Sequence, residues 1–135
     1  MEAVKTLKNI QRSPKPNSAF FATQGLETVA EVDHVLPVYP LSAGSLFAKA
    51  IECWGDQKNT RLAERNDQNL QARFVCTTPL LRFKDDIDVE VVPISESEAG
   101  LILFSRSRIG YSDLGTNRKR LAHWVEQLEQ FVKNA

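Results

Sequence analysis

The sequence is short of most residues that do covalent or metal chemistry. It has two cysteines, two histidines and one methionine in 135 residues. Cys53 and Cys76 sit inside apolar runs, as buried free thiols do, and their spacing fits no metal-binding motif. His34 and His123 stand alone, without a nucleophile or an orienting group beside them, so no catalytic triad can be assembled from neighbouring residues. No metal or other cofactor is implied. No run approaches the ~20 apolar residues of a membrane span, and residues 1–5 lack the apolar stretch of a signal peptide. The chain is therefore expected to be cytoplasmic, unless an upstream targeting segment has been removed. Net charge is also missing, with 17 basic and 17 acidic residues. Without a global field, and without aromatics interleaved among the basic residues, nucleic acid is not expected as a partner.

What is present is ordinary globular material, 42% apolar and 25% charged. The length suits one domain with one core. Residues 1–31 read as an extended N-terminal arm, because Pro14 and Pro16 fix φ and remove backbone donors. Phe20 and Phe21 should lay that arm on the remaining domain, 32–135. The segment 34–41 is apolar but holds Pro37 and Pro40, which confines it to a sheet edge or an extended cover. Ser42 can cap a helix whose stripe is Ala43, Leu46, Phe47, Ala50, Ile51 and Trp54, with Gly55 as terminator. Segments 60–65 and 70–77 flank Asn66-Asp67-Gln68-Asn69 and predict a hairpin. Segments 82–94 and 101–109 predict a second hairpin around a polar loop. A last helix runs from Leu114 or Asn117 to Lys133, on Leu121, Trp124, Val125, Leu128, Phe131 and Val132. The expected fold is α+β: an antiparallel meander of about four strands with both helices on one face.

Charge is concentrated in two late blocks. Period two places Phe83, Ile87, Val89, Val91, Leu101, Leu103 and Ile109 toward the helices. Lys84, Asp86, Asp88 and Glu90 then share the other side with Arg106 and Arg108. The hairpin should set Asp86 opposite Arg108 and Asp88 opposite Arg106. Two readings follow. In one, Asp85, Asp86, Asp88 and Asp113 neutralise Arg106, Arg108, Arg118 and Arg120 in a closed network that fixes strand register. In the other, Arg106, Arg108, Ser112, Asn117, Arg118 and Arg120 converge on a small anion or a protein partner, helped by the amides of the 110–117 turn. A cavity for a hydrophobic ligand such as a lipid, between a curved sheet and the last helix, is the alternative. An enzyme using Asp86 and Asp88 for acid–base work or a hard cation is a weaker one, so the reading leans away from catalysis.

Three runs carry a resemblance: Ser13-Pro14-Lys15-Pro16-Asn17-Ser18, Phe83-Lys84-Asp85-Asp86-Ile87, and the stretch from Arg106 to Arg120. Together they resemble the domain-of-unknown-function family fourteen-ninety-nine. The third is similar to that family's Arg-Ser-x-Ser-Arg-x-Gly-x-Ser-Asp-x-Gly-x-Asn-Arg-x-Arg signature, with one arginine–serine register compressed. Ala19-Phe20-Phe21 stands where a serine pair commonly follows the first run. The resemblance spans about Ser13 to Phe131 and implies no established activity. Members often carry an export or lipidation signal, and none is visible here.

Overall fold

The computed structural model describes residues 5–134, leaving the first four residues of the expected arm outside the description. Six strands form one sheet in the order β2-β1-β6-β5-β4-β3. They are β1 (Ser18–Thr23), β2 (His34–Leu36), β3 (Thr60–Asn66), β4 (Gln71–Thr77), β5 (Lys84–Ser95) and β6 (Glu98–Ser107). Helices α1 (Ala43–Gly55) and α2 (Thr116–Lys133) complete the chain. The α+β class holds, but the sheet has six strands rather than about four, and it is mixed. β1 pairs antiparallel with β6 and parallel with β2.

Of the two added strands, His34–Leu36 lies in the segment 34–41 that the sequence allows as an edge strand, whereas Ser18–Thr23 has no local signal. Ser18–Thr23, placed within the arm by its prolines, enters the sheet between β2 and β6. Phe20 and Phe21 are both buried, on opposite faces, as strand alternation requires. His34–Leu36 ends at Pro37 and stays at the sheet edge, where a missing donor costs least.

Both helices pack on one face. α1 starts at Ser42, whose hydroxyl accepts from the Ser45 amide at 3.2 Å. Gly55 is its last residue and does not take positive φ; Asn59 does, three residues beyond the Asp56 cap. Trp54 stacks on Trp124 of α2 at 5.1 Å and donates to the Trp124 carbonyl at 3.0 Å, so the indole nitrogen is satisfied inside the core. Phe74 meets both rings edge-on. Ile87, Val89, Val91, Leu101 and Leu103 join this core, as period two requires. Phe83 and Ile109 do not; both lie beyond the paired strands and are exposed.

The opposite face carries a second, smaller core. Phe20, Ala22, Ile102 and Phe104 meet Leu7 and Ala30 there. Buried Glu90 holds the arm down, accepting from the Leu7 amide and the Thr6 hydroxyl, each at 2.7 Å, and from Gln71 at 3.0 Å. Glu90→Ala leaves the Leu7 amide without its acceptor, which costs about 1–3 kcal/mol for a buried donor. The expected outcome is faster amide exchange confined to residues 5–10, with the helix-side core still protected.

Candidate functional site

Strand alternation in the β5–β6 hairpin sorts the charged blocks onto opposite faces. The hairpin closes through a two-residue turn between Ser95 and Glu98, with an irregularity between Pro93 and Ser95. That closure is tighter than the polar loop expected from the sequence and shifts the register by two. Asp86 therefore faces Arg106, and Asp88 faces Phe104.

On the helix side the polar groups close on one another. Asp85 and Arg120 form an ion pair at 2.8 Å, their side chains 4% and 14% exposed. Arg120 also donates to Asn117 Oδ1 at 2.8 Å and to the Ser105 hydroxyl at 3.3 Å. Asn117 is fully buried. Its amide nitrogen lies 2.6 Å from Asp113, 3.0 Å from Ser107 and 3.0 Å from the Asn17 carbonyl, tying the α2 turn, β6 and the start of β1 together. Asp113 receives the first amides: it accepts from Gly115 at 2.8 Å and Asn117 at 3.1 Å. Gly115 is the cap residue, at φ 81°. The Cys76 thiol, opposite Asp85 in the β4–β5 register, is pushed up chiefly by burial.

The other side is open. Arg108 pairs with Asp86 at 2.9 Å, and hydrogen bonding to that carboxylate raises its affinity for the proton still further. Asp88 is taken by Arg73 of β4, in a two-pronged contact at 2.6 and 3.1 Å. That leaves Arg106. Among the described residues its one carboxylate within reach is Asp86, at 4.0 Å, and that group is already engaged by Arg108. Its guanidinium stands 5.5 Å over the Phe104 ring, with 43% of the side chain exposed. Arg106 opens onto a groove of about 1210 Å³. Residues 5–7 and 9–11 form one flank, Glu64, Arg65 and Asn66 of β3 form another, and Gln71, Arg73 and Asp88 lie between.

The six candidate ligand residues are thus divided. Arg106 and Arg108 lie on the groove face, while Asn117 and Arg120 are enclosed in the helix-side network. Ser112 is exposed in the turn. Arg118 reaches the Asp33 carbonyl at 3.3 Å and lines a separate depression of about 280 Å³ with Phe21, His34, Glu126 and Glu129. Asp85 and Asp113 belong to the network, and Asp86 and Asp88 to the groove face. Sequence reasoning missed Arg73 and the anchoring role of Glu90, although Arg73 is the one charge in an otherwise apolar run from Ala72 to Val75.

The family model for a protein of unknown function, DUF1499, matches residues 9–128. The chain belongs to DUF1499. The match includes the strands, both helices to Leu128 and most of the arm, so the two charge systems lie within the DUF1499 domain. Among curated proteins none matches the chain. Two solved structures are similar in outline. One is a solution NMR structure from Thermobifida fusca, 12% identical, covering 76% of this chain and 78% of its own, at a TM-score of 0.47. The other is the crystal structure of TTHA0849 from Thermus thermophilus, 11% identical, covering 87% of this chain and 97% of its own, also at 0.47. Likeness at this level carries no activity to the DUF1499 chain. Among its described residues no helix is long and apolar enough to cross a membrane.

Proposed function

We propose that the chain is a non-catalytic binding module that receives a carboxylate- or phosphate-bearing ligand in the groove between the arm and the sheet. The observation that carries this is Arg106, partly exposed beside that groove with its nearest carboxylate 4.0 Å away and shared with Arg108. A guanidinium held over an aromatic ring keeps its planar fork free for an anion. Arg73 Nη1, the nitrogen of that guanidinium outside its contact with Asp88, adds a donor along the groove, and the exposed arm residues give length for an extended ligand. The network reading stands beside it as support: with Asp85, Asn117 and Arg120 satisfied among themselves, the sheet and α2 hold the groove face still. Catalysis draws no support from this face, where Asp86 and Asp88 are each engaged by an arginine. A hydrophobic-ligand site between sheet and helices draws none either, since Trp54, Phe74 and Trp124 fill that space.

The test is calorimetric titration with inorganic phosphate, citrate and a short acidic peptide. One charge-assisted hydrogen bond contributes about 1.5–3 kcal/mol, so Arg106→Ala is expected to weaken binding at least about tenfold. Arg106→Lys should recover part of the affinity. Equal affinity in wild type and Arg106→Ala, or no binding of any of the three, contradicts the proposal.

A further inference from the structure

Of the ten large hydrophobic side chains exposed among the described residues, six lie at one end of the sheet: Leu80, Leu81, Phe83, Ile109, Tyr111 and Leu114. They belong to two turns, 78–83 and 108–115, which the sheet brings side by side. The Arg108 amide donates to the Lys84 carbonyl at 3.2 Å. A third segment joins them. Asn17 donates its side-chain amide to the Gly110 carbonyl at 2.9 Å, and the Asp113 amide donates to the Pro16 carbonyl at 3.2 Å. Leu80 and Leu114 are 92% and 88% exposed, more than any core role allows. Leu114 and Arg82 also hold positive φ, which non-glycine residues rarely adopt.

The charges at this end have one sign. Lys15, Arg82 and Lys84 are exposed and form no ion pair among the described residues. The only acid in the three segments is Asp113, which is turned inward onto the α2 amides and Asn117. Apolar tips on separate turns, ringed by cations with no outward acid, match a negatively charged surface that yields to small insertions. A globular partner needs a continuous complementary face instead. We propose that this end docks on an anionic lipid surface. Leu80, Leu81, Tyr111 and Leu114 enter the boundary between headgroups and acyl chains, and Lys15, Arg82 and Lys84 meet the lipid phosphates. The site is separate from the groove, and neither proposal requires the other.

The full chain is to be sedimented with vesicles of phosphatidylcholine alone and of phosphatidylcholine mixed with phosphatidylglycerol. Binding is expected only to the mixed vesicles and should fall steeply with added salt. Leu80→Asp with Leu114→Asp should weaken it about tenfold or more, since both insertions are lost. These side chains touch little, so the variant should melt like wild type. Val35→Asp with Ile94→Asp, exposed positions elsewhere, should bind as wild type does. Three results overturn the proposal: no binding to mixed vesicles, binding indifferent to the leucine substitutions, or self-association that those substitutions abolish while vesicles are ignored.

Discussion

Replacing Asp85 with alanine is expected to destabilise the fold by about 3–5 kcal/mol, the range for removing one partner of a buried ion pair. The side chains of Asp85 and Arg120 are 4% and 14% exposed and meet at 2.8 Å. Without the carboxylate, Arg120 keeps only neutral acceptors, Ser105 and Asn117, and its charge has little access to water. The loss should appear as a lower urea midpoint with an unchanged slope, because the core and the surface exposed on unfolding are otherwise intact. The second half of the prediction separates the pair's net worth from the cost of breaking it. Asp85→Leu combined with Arg120→Met removes both charges and should recover most of the loss, as replacing a whole buried pair with apolar groups often does. Additive losses in that double variant would mean that the two residues act separately.

Asn117→Leu keeps the branching and the number of heavy atoms but is expected to cost about 3 kcal/mol or more, because each buried polar group left unmatched costs about 1–3 kcal/mol and the bulkier methyl groups crowd a filled site. The substitution removes an acceptor from Arg120 and Ser105 and a donor from the Asn17 carbonyl, Ser107 and Asp113. The damage has a direction. Asn117 links the first turn of α2 to β6 and to the start of β1, so amide exchange should rise first at Gly110–Gly115 and at Ser18, before the β3–β4 hairpin is affected. Chemical denaturation gives the magnitude, and hydrogen exchange gives the order.

How far the sequence foretold this architecture depends on the range of the forces involved. α1, the β3–β4 hairpin and the stripe of α2 follow from spacing and caps close in sequence, and they form as expected. The facing of Ile87, Val89 and Val91 against Asp86, Asp88 and Glu90 follows from pleating alone. β1 was not legible, because Ser18–Thr23 is made a strand by β6, far along the chain, and prolines lie just before it. The register of Asp86 and Arg106 depended on whether 96–97 or a longer loop closes the hairpin, and polarity does not distinguish these. Asp85 read as part of the same charged block as Asp86. Alternation sends it to the opposite face, where Arg120, in the first part of α2, is the partner. Arg106 stood out in the sequence because an arginine in a strand calls for a partner; what period two alone does not reveal is that Arg108 and Arg73 occupy the nearby carboxylates.

Two arginines from one basic block thus take different tasks: Arg120 holds the fold together, and Arg106 is left available at the groove. A single urea titration series comparing Arg120→Ala with Arg106→Ala tests that division. Arg120→Ala is expected to lose about 3–5 kcal/mol and Arg106→Ala less than about 1 kcal/mol. Comparable losses in the two variants would contradict it.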